Sequence, residues 1–241
     1  MEKSIEEVEL KFHNKDLPNF PGYNYKPEFR PLKMTDAILL APMMRKEGRS
    51  IGTYLGGYSV PDQWNLKETQ KWVSQSINSN DFPAFHYLFL CGPNTVVGMG
   101  SIMKYGDSLL ECQLVLSVFG SHQGRGWGKV IASTLKHIAF DVWGFEAIYW
   151  INDATNRAST KLSQEMGFGL ETTYSDNNIM GTKGSGLWYR WICHRPEGMF
   201  PGILQGADLE YWGTPKSEGL LKAVIAAKES ESMDLSQAAS E

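Results

Sequence analysis

Glycines at 124, 126 and 128 alternate through a short segment that separates a strand pattern from a helix pattern. No other feature constrains the chain as much. Before the glycines, residues 109–118 form a β-rich run that follows the turn Tyr105-Gly106-Asp107-Ser108. After them, Ile131, Leu135, Ile138 and Val142 recur at i, i+4, i+7 and i+11, with Lys129, Lys136 and Asp141 off that stripe. That is the period of an amphipathic helix. Glycines at such a junction let the backbone turn tightly and present N–H groups, backed by the helix dipole, to an anion. A pyrophosphate suits this geometry. The segment is not a P-loop, because Lys129 is followed by Val130 where a magnesium-binding Ser or Thr is needed. It is not G-x-G-x-x-G either, since its glycines alternate. Taken alone, the glycines are equally compatible with a plain turn that opens a helix.

The rest of the chain reads as mixed α/β. Phe29–Met34 is a strand, and Thr35 is placed to cap a helix from Asp36 to about Arg45. A Gly-rich loop is expected over Gly48–Gly57 and a second helix over Leu66–Ile77, with Trp72, Val73 and Ile77 on one face. Strands at about 84–91 and 95–103 flank the turn Cys91-Gly92-Pro93-Asn94-Thr95. Beyond the glycine helix come a strand (Ala147–Ile151), a helix (Thr155–Met166) and strands near 168–174 and 186–193. Gly167 falls where a helix end needs a positive φ. Such an order predicts helices on a central sheet, not doubly wound alternation.

Composition excludes several function classes. Lys and Arg total 23 against 27 Asp and Glu, which leaves no basic excess for extended nucleic acid. Residues 196–241 carry three lysines and eight acids, net −5, so residues 1–195 come to about +1. Cys91, Cys112 and Cys193 form no C-x-x-C pair and read as reduced thiols of a cytoplasmic protein. Five scattered histidines lack H-x-x-x-H spacing, so no metal site is expected. The acidic N-terminus does not read as a signal peptide. Phe82–Met103 lacks Asp, Glu, Lys and Arg for 22 residues. The turn in its middle makes it a hairpin and not a membrane span, which would need about 20 apolar residues.

Three motifs in order give the glycine segment its context. Leu116-x-Val118 precedes Gln123-x-x-Gly126-x-Gly128. Downstream stand Asn156-x-x-Ser159-x-Lys161-Leu162 and Glu165-Met166-Gly167-Phe168, while Phe29-Arg30-Pro31-Leu32 leads into Thr35-Asp36-Ala37. Together they resemble the GCN5-related N-acetyltransferases (GNAT), in particular the RimJ/RimL-like branch, over about residues 28–194. Gly120 stands where the strand motif L-x-V-x-P has its proline. The resemblance implies a GNAT fold, α/β with a central, mostly antiparallel twisted sheet that splays at the cofactor site and carries helices on both faces. It divides the chain into an N-terminal extension (1–27), the acetyltransferase domain (28–194) and a C-terminal extension (195–241).

The implied activity is an acyl-CoA-dependent N-acetyltransferase that moves the acetyl group of acetyl-CoA to a primary amine by direct attack. The main chain of Leu116, Ser117 and Val118 would pair with the pantetheine arm. The amides of Gln123, Gly124, Arg125, Gly126, Trp127, Gly128 and Lys129 would hold the pyrophosphate, with Arg125 and Lys129 as cations. Asn156 would contact the pantetheine. Ser159 would sit near the sulfur as proton donor, since Ser163 occupies the position of the tyrosine used by many relatives. Glu111 is the strand's one carboxylate and the candidate base, although relatives of this branch often carry a glutamate at the position of Gln113. A solvated strand-end role for Glu111, with a water relay in its place, stays open. Tyr54 and Tyr58 would line an acceptor pocket, or pack as ordinary aromatics. The acceptor is a protein N-terminus or a small-molecule amine.

Two other readings remain. A CoA-binding or interaction module without turnover would explain the missing tyrosine. Gly48-Arg49-Ser50-Ile51-Gly52 matches the G-x-S-x-G elbow of serine hydrolases, but that motif requires a strand before the serine and a helix after it. His122 reads as a solvent-facing turn residue, and His86, Trp188, Tyr189 and Trp191 read as structural strand residues. Ser217–Lys228 has helical spacing, and Tyr211-Trp212 could fold back over the sheet or form the contact of a homodimer.

Overall fold

The structure, a computed structural model, describes residues 27–52, 64–78, 84–106, 108, 110–175 and 186–196. The expected N- and C-terminal extensions fall almost wholly outside these residues, as do Tyr54, Tyr58, the Tyr211-Trp212 pair and the helix expected over Ser217–Lys228.

The element order is β1 (Pro27–Pro31), a 3-10 turn (Met34–Asp36), α1 (Ala37–Gly52), α2 (Leu66–Asn78), β2 (Ala84–Cys91), β3 (Val96–Lys104) and β4 (Glu111–Val118). A second 3-10 turn (Gly120–His122) leads to α3 (Trp127–His137), which closes in a π turn (Ile138–Val142). Then come β5 (Ala147–Asp153), α4 (Arg157–Glu165), β6 (Gly169–Ser175) and β7 (Leu187–His194). The seven strands form one sheet in the order β1-β2-β3-β4-β5-β7-β6. All pairings are antiparallel except β4 with β5. That parallel pair follows from connectivity, because a strand that returns through a helix comes back in the same direction.

The sheet separates two cores. On one face α1 and α2 cover Leu88, Leu90, Met99, Met103 and Val115 with Leu40, Met44, Trp72 and Val73. On the other, α3 sets Ile131, Leu135 and Ile138 against Ile102, Cys112, Leu114, Ile148 and Trp150. The close approach of α3 depends on Gly98 and Gly100. A Cβ on Gly98 would lie 2.6 Å from both Ile131 Cδ1 and Ser117 O, and one on Gly100 would lie 2.6 Å from Leu135 Cδ1.

Several expectations need correction. α1 runs through Gly52, so the loop expected from Gly48 begins later. Each glycine inside a helix costs only about 1 kcal/mol relative to alanine, too little to end a helix that packs well. Ser50 thus lies within a helix, with no strand before it, which removes the hydrolase elbow. Thr35 does not cap α1; it lies inside the 3-10 turn. Asp36 anchors that turn instead, accepting from Lys33 N at 2.7 Å and from both terminal nitrogens of Arg30 at 2.7 and 2.6 Å. Cys91, Cys112 and Cys193 are buried and form no disulfide. No described helix is long and apolar enough to cross a membrane.

Candidate active site

β4 and β5 pair only from Glu111/Ala147 to Leu114/Trp150. β4 nevertheless continues to Val118 along β3, and β5 continues to Asp153 along β7. Past Leu114 one edge of β4 therefore has no ladder with β5, and a cleft of about 730 Å³ opens there. Every residue from Gln113 to Val118 lines it. The cleft follows the unpaired edge of β4, whose successive residues point to alternate faces of the sheet.

The glycine segment forms one wall. Gly124 and Gly126 have φ of +70° and +89°, and Gly126 is the N-cap of α3. A Cβ on Gly124 would meet nothing within 4 Å, so the loop borders open space. An α-helix leaves its first amides without partners inside the helix, and Gly128 lies in that first turn. These features fit an anionic group such as a pyrophosphate. Gln123 braces the loop, its Nε2 donating to Val118 O at 2.8 Å. Gly128 faces α4, where an added Cβ would lie 3.1 Å from Leu162 Cδ2.

The opposite wall is α4. Asn156 is its N-cap, and its Oδ1 accepts from Ser159 N at 3.1 Å. Ser159 Oγ accepts from Trp150 Nε1 at 2.8 Å. A hydroxyl that accepts from an indole keeps its own proton for donation. Behind this pair, Asn152 accepts from Trp191 Nε1 at 2.8 Å and donates to Thr160 Oγ1 at 3.0 Å. At the mouth, Lys129 Nζ lies 3.0 Å from Glu165, which holds that carboxyl below the usual carboxylate range.

Of the residues singled out in the sequence, Leu116, Ser117, Val118, Gln123, Gly124, Gly126, Gly128, Lys129, Asn156 and Ser159 all line this one cleft. Arg125 does not, although its charge reaches His122. Trp127 buries its ring in the core, so only its main chain is available to the loop. Glu111 is half-buried at the first residue of β4 and does not line the cleft, whereas Gln113 does. His122 is half-buried against the cleft, not simply solvent-facing. Burial lowers its pKa first, Arg125 lowers it further, and Glu47 opposes them. Trp188, expected to be structural, is buried and also lines the cleft.

Trp150 and Glu47 went unnoticed in the sequence. Their roles arise from pairings across the fold. Gly98 and Gly100 had a signal, since two glycines two residues apart on a strand clear one face for something close. Among the described residues no group of His, Cys, Asp and Glu is arranged to hold a metal.

The family described as the acetyltransferase (GNAT) domain matches residues 28–169. No curated protein sequence matches the chain. Among solved structures, the fold is similar to a spermidine N-acetyltransferase from Vibrio cholerae in complex with CoA and spermine, with 15% identity, 70% of this chain and 95% of that one covered, and a TM-score of 0.56. It is also similar to a ribosomal-protein-S5-alanine acetyltransferase from Vibrio fischeri, with 14% identity, coverage of 73% and 96%, and a TM-score of 0.59. At such identities the likeness is one of fold.

Proposed function

The chain belongs to the GNAT acetyltransferase family, and from that premise we propose that it is an N-acetyltransferase of the RimJ/RimL-like type, transferring the acetyl group of acetyl-CoA to a primary amine. One observation carries the reading: the glycine loop with the first turn of α3, the free edge of β4 and the Ser159 hydroxyl that accepts from Trp150 Nε1 line one cleft.

The residues that would hold the cofactor are the main chain of Leu116–Val118, the amides from Gly124 to Gly128, and Asn156; the amides of Gln123 and Lys129, expected to join them, donate to Gly120 O and Gly126 O instead. Acetyl-CoA, when bound, supplies an acetyl group activated as a thioester. The free N–H groups of β4 offer polarising donors to a carbonyl in the cleft. Ser159 Oγ holds a proton for the departing thiolate. On the other face, the amide of Gln113 cannot take up the amine's proton. Glu111 lies about 7 Å further down the strand, by strand rise, and a water relay past Gln113 gives it access. The acceptor is a protein N-terminus or a small amine reaching that face, and the protein works in the cytoplasm.

The test is incubation with acetyl-CoA and panels of peptides and small amines, read by mass spectrometry of the product and by thiol release. Acetylated amine with stoichiometric free CoA is the expected result. CoA binding without transfer to any amine would instead support a binding module, a reading favoured by the absence of a carboxylate on the cleft-lining part of β4. Gly126→Trp, which adds bulk at a left-handed position, is expected to abolish CoA binding by calorimetry; unchanged affinity would remove the pyrophosphate assignment.

A further inference from the structure

We propose that Glu47 is a positioning residue for the cofactor loop: from α1, its carboxylate takes the amide of Gly120 and sets where the 120–128 segment begins. The inference rests on reading that segment as the pyrophosphate site. Gly120 N donates to Glu47 Oε2 at 2.5 Å, joining residues 73 positions apart. A Cβ on residue 120 would lie 3.2 and 3.3 Å from the two carboxylate oxygens. Gly120 opens a 3-10 turn and is not among the glycines with positive φ. A side chain at 120 would therefore make the carboxylate shift by a few tenths of an ångström, so glycine suits its close approach and not an unusual backbone conformation.

The backbone would also accept proline. Phe119 has φ −64° and ψ 142°, the extended conformation that precedes proline, and a 3-10 residue has a φ close to that of the pyrrolidine ring. Proline at 120 would lack the N–H and would set a Cβ against the Glu47 oxygens, so it removes the bond and presses on its acceptor. The chain thus carries, at the position of the motif's proline, a residue that keeps a donor, and it places a carboxylate against that donor.

The turn transmits this anchor to the loop. Gln123 N donates to Gly120 O at 3.2 Å and His122 N to Phe119 O at 2.8 Å, while Phe119 N is held by Val97 O at 3.0 Å. The ring of Phe119 is buried in the core shared with α1 and α2. Both ends of the anchor therefore belong to the sheet face opposite α3. A carboxylate beside an anion site is unfavourable on charge alone, so a geometric role must offset that cost. A charge-assisted bond to a backbone amide is strong enough to do so.

The experiment is calorimetric titration of the full chain with CoA, comparing wild type with Glu47→Ala, Glu47→Gln, Gly120→Pro and the double variant Glu47→Ala/Gly120→Pro. Losing a hydrogen bond to a charged group is expected to weaken CoA about tenfold in Glu47→Ala and in Gly120→Pro. The double variant should be no weaker than either single one, because both remove the same bond. Glu47→Gln keeps an accepting oxygen and should stay within about twofold of wild type. With an amine substrate, the KM for acetyl-CoA should rise while kcat holds. Wild-type affinity in Glu47→Ala or Gly120→Pro, or losses that multiply in the double variant, overturns the proposal. A Glu47→Ala that does not fold leaves Gly120→Pro against Glu47→Gln to decide it. A wild-type chain that binds no CoA overturns the pyrophosphate reading instead, and this inference with it.

Discussion

Ser159 shows how much one side chain depends on its partners. Its position in the motif made it a candidate proton donor, and the indole N–H of Trp150, by donating to its oxygen, leaves its own proton for another acceptor. Ser159→Ala is expected to lower kcat about a hundredfold, the low end for a general acid, with little change in the KM for acetyl-CoA. An unchanged kcat in steady-state assays would remove Ser159 from the chemistry. His86 makes a different case. It is buried, its Nδ1 lies 2.7 Å from Ser101 Oγ, and burial lowers its pKa to about 4. The folded chain then binds fewer protons than the unfolded one between about 4 and 6.5. Stability is full above 6.5 and falls as the pH drops through that window, by on the order of 3 kcal/mol. Urea unfolding from pH 7 to 4 should show that slope in wild type and a flatter one in His86→Gln. Equal slopes would acquit the histidine.

Among the elements, α3 and β3 depend on each other most closely. Gly98 leaves room for Ile131 and for the carbonyl of Ser117, and Ser117 lines the cleft. Gly98→Ala must push either the helix or β4, an overpacking that costs about 1–3 kcal/mol. Thermal unfolding should move down by several degrees, and CoA affinity should fall with it, because the displaced backbone forms a wall of the site. A variant with unchanged melting and affinity would show that the contact relaxes freely. The element scale also marks where local reading works. The stripe from Ile131 predicts α3, and β-rich runs bounded by turn residues predict the strands, because each follows from the geometry of its own backbone. α1 exceeds its expected end because its glycines were weighed as loop formers, while each costs a helix only about 1 kcal/mol relative to alanine.

At the scale of the whole molecule, the sheet holds two cores and one seam. The parallel seam between β4 and β5 creates the site, and it sits in the middle of the strand order. The family match covers residues 28–169, and the residues found lining the cleft run from Gln113 to Trp188. A chain trimmed to 27–196 keeps all of these and is therefore expected to bind CoA in calorimetric titration. A loss of binding on trimming would place part of the site in the acidic C-terminal extension or the N-terminal one.

The sequence by itself determined what short-range forces decide. The helix periods, the β-rich strand runs and the tight turn at the alternating glycines all follow from sterics and hydrogen bonds within a few residues. It also located ten of the residues that line the cleft, because they cluster in two short motifs. Only the tertiary structure decided that the ladder between β4 and β5 stops at Leu114/Trp150. It also decided that Glu111 stays outside the cleft, that Trp150 meets Ser159, and that Glu47 meets Gly120. Each of those outcomes depends on how whole elements pack over long sequence separations, and no local pattern carries that information.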